Sequence, residues 1–172
     1  MTKNNAFTND FCDEIIDLYN CDEILNAEKN ENIDKNYYKK QLNKNTSKCI
    51  TAINSQIQKT LKDFNEKNYQ IIDKKFILFD NYDFLKFDKD KGYISYFTDY
   101  TFIENIYSVF EFIIFLNDIQ EGGHVEILGN FKIKPQKGTL LIFPSGWCFP
   151  YCHKIPISDD KYIVSGKIFT KF

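Results

Sequence analysis

The chain contains no arginine: all 22 of its basic residues are lysine. Any carboxylate of a ligand must then be held by a point-charge ammonium, because no guanidinium fork is available to grip it at two atoms. Histidine is almost as scarce, with His124 and His153 the only imidazoles in the chain. No long hydrophobic run is present either. The longest, Phe110 to Leu116, is broken by Glu111 and falls far short of a membrane span. The amino terminus has no apolar segment leading to a small-residue cleavage site, and the five cysteines are an odd number. A disulfide framework is therefore not expected, and a reducing, cytoplasmic setting without a membrane partner is. Cys148 and Cys152 lack the second pair that a zinc site would need, so they are read as unpaired small residues. A net charge of -2 and a pI near 5.7 provide no broad basic field, which argues against nucleic acid as a partner.

What is present suits one ordinary domain spanning residues 1–172, with 43% hydrophobic residues to fill a core. Thr8 or Asn9 can cap a helix whose Phe11, Ile15, Ile16 and Leu18 form one apolar stripe. A second helix is expected from about Ser47 through Asn65, since Ile50, Ile53, Ile57, Leu61 and Phe64 recur at spacings of three and four. Residues 26–48 are rich in Asn and Lys and read as a polar connection. From Phe76 the pattern changes to short runs rich in Phe, Tyr, Ile and Val, punctuated by Gly, Pro, Asn and Asp. Strands are expected at 76–79, 84–87, 93–97, 107–116, 124–128, 131–133, 139–143 and 162–169. The fold class is α+β, mainly β: helical support over about 1–70, and a sandwich or barrel over about 76–172.

Several stretches of the β region resemble, in order, the prolyl 4-hydroxylase branch of the Fe(II) and 2-oxoglutarate-dependent dioxygenases. LKFDKDKGYISYFTDY (85–100) is similar to the segment leading into that family's His-x-Asp pair, and FIIFLND (112–118) to its central strand. EGG (121–123) resembles the double-glycine turn, and KPQKGTLLIFPS (134–145) the strand that precedes the distal histidine. HKIPISDDKYIVSGKIF (153–169) then resembles the distal histidine followed by the basic residue that anchors the co-substrate, and FCDEII (11–16) the opening helix. The resemblance implies a double-stranded β-helix, a jelly roll of cupin-like form, buttressed by the amino-terminal helices. It implies Fe(II) and 2-oxoglutarate as cofactor and co-substrate, with Asp99 and His153 as metal ligands and catalytic residues. Lys161 would anchor the far carboxylate of 2-oxoglutarate, with Ser165 lining the same pocket; Lys167 shares their strand parity.

Two departures bear on that chemistry. An iron site of this kind needs two imidazoles and one carboxylate, yet the first metal histidine falls on Phe97, which has no lone pair. Phe115 stands where relatives often carry a tyrosine that reaches 2-oxoglutarate. His124 and Glu126 are an alternative donor pair, but Val125 and Ile127 claim the core face of that strand and turn them outward. A cupin reading rests on Gly138, Pro144 and Gly146, with Phe149 in place of that motif's histidine, and leads to the same fold. Two functions follow. One is a dioxygenase hydroxylating a peptide side chain of prolyl type or a small molecule. The other is a catalytically silent relative used as a binding or assembly module.

Overall fold

The computed structural model describes residues 1–20, 28–42, 47–67 and 75–171. Along these the chain forms β1 (Thr2–Lys3), α1 (Asn9–Asn20), β2 (Glu28–Asn32), β3 (Lys35–Leu42), α2 (Ser47–Lys67), β4 (Ile77–Leu78), β5 (Tyr82–Phe87) and β6 (Tyr93–Phe97). There follow β7 (Phe102–Ile103), β8 (Ile106–Phe115), β9 (Val125–Ile127), β10 (Phe131–Ile133), β11 (Leu140–Pro144), β12 (Tyr151–His153) and β13 (Lys161–Lys171). Thr8 caps α1 as its residue type predicts, its Oγ1 accepting from Phe11 N at 3.2 Å. No helix among the described residues is long and apolar enough to cross a membrane.

The strands pair antiparallel in the order β1-β11-β8-β13-β5-β3-β6-β12-β9-β10. Residue parity decides what each face of this sheet buries. On β8, Phe112 and Ile114 face the helices, where they join Ile53, Ile57, Phe84, Val164 and Ile168 in one apolar cluster. Ile113 and Phe115 face the other way, into a second cluster with Leu85, Phe87, Val125, Leu141, Tyr151 and Ile163. The second cluster joins strands from both ends of the pairing order, so the sheet curls into a barrel whose inner face it fills. Two packed layers account for the expected architecture: a mainly β jelly roll buttressed on its outer face by α1 and α2.

All eight expected strands form, with ends displaced by at most two residues. One expectation is overturned. Within the 26–48 stretch read as a polar connection, residues 28–42 form a hairpin, and β3 lies in the middle of the sheet, pairing with both β5 and β6. Its turn is set by Asn32, whose Oδ1 accepts from Asp34 N at 2.8 Å and Lys35 N at 3.0 Å. The strand is held by contacts that a hydrophobic pattern does not register. Tyr37 packs toward the inner cluster, Lys86 lies over the Tyr38 ring, and Lys39 pairs with Asp83 at 2.8 Å. β12 (Tyr151–His153) is likewise not among the expected strands.

Candidate functional site

The inner face of the barrel is apolar in its core, and β3, β5, β8, β12 and β13 turn polar residues toward it at one cavity. Register explains the grouping: Lys167 pairs with Glu111, Ser165 with Ile113, and Ile163 with Phe115 across β13 and β8. β12 adds Tyr151 and His153 opposite β6, which ends at Phe97 just before Asp99. These side chains enclose one end of a cavity of about 520 Å³ lined by Phe97, Asp99, Glu111, Tyr151, His153, Ser165 and Lys167, among others. Of the residues expected in the site, Asp99, His153 and Ser165 therefore share this cavity. Lys161 does not line it.

Asp99 has its charge matched within the chain. Lys167 Nζ lies 2.6 Å from Asp99 Oδ1 and donates also to Thr101 Oγ1 at 2.7 Å. The Asp99 carbonyl accepts from Gly146 N at 3.0 Å, which ties this segment to the loop before β12. Phe97, two residues earlier, packs its ring on Tyr151 with centroids 4.3 Å apart.

His153 and Lys161 sit deeper. The His153 ring stacks on Phe87 at 5.0 Å, and Lys161 Nζ lies 4.1 Å from the same Phe87 centroid on a side chain with no solvent exposure. The ammonium donates to the Gly123 carbonyl at 3.1 Å and makes a long contact of 3.5 Å with His153 Nδ1. Among the described residues no carboxylate compensates it. Burial brings Lys161 down to about 7 and, together with the Lys161 charge, holds His153 well below the ordinary imidazole value. Gly123 reaches its position through the double-glycine turn, where Gly122 has φ +70° and a Cβ would meet the Ile155 carbonyl at 2.4 Å. Gly122→Ala is expected to cost about 2 kcal/mol or more from left-handed backbone strain and the clash. Thermal or denaturant unfolding measures it.

Glu111 is the polar residue to which no role was assigned. It is 5% exposed, and its Oε2 accepts from Tyr151 Oη at 2.6 Å. Its Oε1 is buried and meets no hydrogen-bond partner among the described residues. Burial, with Asp99 nearby, pushes the carboxyl up to about 7, against the hydrogen bond from Tyr151 and the charge of Lys167. The sequence did carry a signal, because Glu111 interrupts the longest apolar run at a position of the same parity as Phe115.

The donors do not fit an iron centre. Phe97 supplies none, and the Asp99 carboxylate is already held by an ammonium. A metal-bound imidazole donates its other N–H to a carboxylate, carbonyl or water. His153 Nδ1 instead faces Lys161, which as an ammonium can only donate. His124 and Glu126 do not complete a set: Val125 and Ile127 fill the barrel interior, while His124, Tyr96 and Lys154 gather around Glu126 on the other face. Among the described residues no group of three His, Cys, Asp or Glu side chains could hold a metal ion. The four described cysteines are free, with Cys12, Cys49 and Cys152 buried and Cys148 exposed.

No family model matches the sequence, and no curated protein matches it. Solved structures do. A viral collagen prolyl hydroxylase from Paramecium Bursaria Chlorella virus-1, in its 2OG complex, is 17% identical with a TM-score of 0.72 over 98% of this chain and 94% of that one. A prolyl-4-hydroxylase from Pseudomonas putida is 10% identical with a TM-score of 0.72 over 99% and 91%. A prolyl hydroxylase from Trichoplax adhaerens, in complex with a hypoxia inducible factor oxygen degradation domain peptide fragment, is 14% identical with a TM-score of 0.74 over 99% and 82%. At such identities the likeness is one of fold, and the chain has the double-stranded β-helix fold of the prolyl 4-hydroxylases and 2OG-Fe(II) oxygenases.

Proposed function

We propose that this protein uses the dioxygenase fold as a binding module, holding a peptide or small molecule in the barrel cavity without iron chemistry. The Lys167–Asp99 ion pair at 2.6 Å carries the reading. An ammonium reaching across the barrel from β13 neutralises the acid that would otherwise need a cation, so the carboxylate is satisfied without metal. Two further features support it. Phe97 packs as a wall residue on Tyr151, and the Lys161 ammonium is sealed against Phe87 and the Gly123 carbonyl instead of opening into the cavity. The cavity itself, at about 520 Å³, lies within the range of ordinary ligand pockets. A peptide ligand is suggested by the peptide fragment bound to the Trichoplax neighbour.

The alternative, an Fe(II) and 2-oxoglutarate-dependent dioxygenase, draws on one observation: Asp99 and His153 line the same cavity. In that reading Asp99 and His153 hold the metal, and Lys161 with Ser165 receives the co-substrate. Iron-dependent conversion of 2-oxoglutarate to succinate separates the two. The binding module is expected to give only background, unchanged in Asp99→Ala and His153→Ala. Turnover that both substitutions abolish would replace it with the enzyme. Metal titration gives a second reading, since losing even an outer hydrogen-bond partner of a ligand weakens metal by about 10 to 100-fold. With a ligand itself missing, saturable Fe(II) binding is not expected.

A further inference from the structure

The charged side chains in the cavity wall pair off, with one exception. Lys39 takes Asp83 at 2.8 Å, and Lys167 takes Asp99 at 2.6 Å. His153 is buried with its nearest charge a cation, which keeps it neutral. Glu111 is left with Tyr151 on one oxygen and no partner on the other. A buried acceptor without a donor is costly, and a buried carboxylate without a counter-charge more so. In the free protein a proton can serve as that counter-charge, which is the physical sense of a carboxyl that titrates near neutrality. The surrounding surface favours a larger cation in the same place. Tyr151, whose hydroxyl reaches Glu111, and Phe97, packed on Tyr151, both line the cavity, and ring faces attract ammonium groups.

We propose that the cavity receives an organic ammonium group, such as the side chain of a lysine in a peptide, and that the free Oε1 of Glu111 is the atom to which it donates. The proposal rests on the reading of the cavity as a binding site. It adds the chemistry of what is bound: a cation that the paired lysines of the wall do not repel, seated on a carboxylate oxygen that has no donor among the described residues. Among the described residues a ligand anion finds no free positive group in this cavity, because the lysines lining it are both committed and Lys161 is sealed away.

The test is calorimetric titration of the full chain with N-acetyl-lysine N-methylamide and with its uncharged counterpart, N-acetyl-norleucine N-methylamide. The lysine probe is expected to bind tighter by about tenfold or more, the range set by one charge-assisted hydrogen bond. Glu111→Gln, which keeps an acceptor for Tyr151, is expected to erase that preference. Because the substitution could disturb folding, the carboxyl 13C resonance of Glu111 provides a readout in the unaltered protein. It should move with the lysine probe and stay fixed with the norleucine one. Equal binding of the two probes, a preference that survives Glu111→Gln, a stationary resonance or no binding of the lysine probe would each overturn the proposal. Iron-dependent succinate formation would instead remove the non-catalytic reading, and leaves the charge preference of the cavity to be judged on the titration alone.

Discussion

Lys161→Met is expected to stabilise the protein by about 2 kcal/mol at pH 7 and to flatten its stability profile between pH 7 and 9. The side chain has no solvent exposure, sits on a phenylalanine ring and has no carboxylate beside it among the described residues. Burial brings its titration from 10.5 to about 7 in the folded state. Between those values the unfolded chain holds a proton that the folded chain has released, so raising the pH favours folding. At about 1.4 kcal/mol per pH unit the gain from pH 7 to 9 is roughly 2 kcal/mol. Methionine follows the same apolar path without the amine. It leaves the Gly123 carbonyl without its donor, a loss of about 1 kcal/mol that the relieved desolvation exceeds.

The window is bounded on both sides. Above pH 9 the buried Cys12 thiol, pushed up to about 11, works the other way, because the unfolded thiol ionises first. Below neutrality two groups oppose each other. Glu111, raised to about 7, makes stability fall as pH rises from 4.5 toward 7, whereas His153, lowered by burial, makes it fall as pH drops below 6.5. Denaturant unfolding of both proteins at pH 7, 8 and 9 decides the matter. A wild-type profile that is flat over this range would mean that Lys161 does not change charge there.

The barrel was legible in the sequence because β8, β11 and β13 bury both faces or alternate strongly, which leaves few other ways to read Phe112–Leu116 or Ile163–Phe169. β3 was not legible, since its stability comes from tyrosine faces, lysine stems and cross-strand ion pairs, and lysine-rich segments read as solvated. In the site, parity and resemblance together brought Asp99, His153 and Ser165 toward one pocket and turned Lys161 inward. What they could not convey was depth. Nothing in the order of residues reports that Phe87, arriving from β5, lies over Lys161 and His153, or that Lys167 reaches Asp99 from across the barrel. Glu111 was visible as a charge inside an apolar run. Its significance needed the third dimension, where one oxygen finds Tyr151 and the other finds no donor.

Phe87 is the residue on which this buried arrangement depends, and Phe87→Ala is expected to cost about 3 to 5 kcal/mol, the range for removing an enclosed aromatic ring. Its ring has no exposure and touches Tyr37 at 5.7 Å, His153 at 5.0 Å and the Lys161 ammonium at 4.1 Å. Most of that cost is packing, but one part depends on charge. The face of the ring attracts Lys161 only while the amine is protonated, and a desolvated pair of this kind contributes about 0.5 to 2 kcal/mol. Phe87→Leu keeps much of the volume and removes the ring face, so it isolates this part with less risk to folding. A double-mutant cycle with Lys161→Met, measured by denaturant unfolding, is expected to show a coupling of that size at pH 6 and a smaller one at pH 9. The difference arises because Lys161 passes from ammonium to amine in between. Coupling that stays constant from pH 6 to 9 would make the contact one of shape alone.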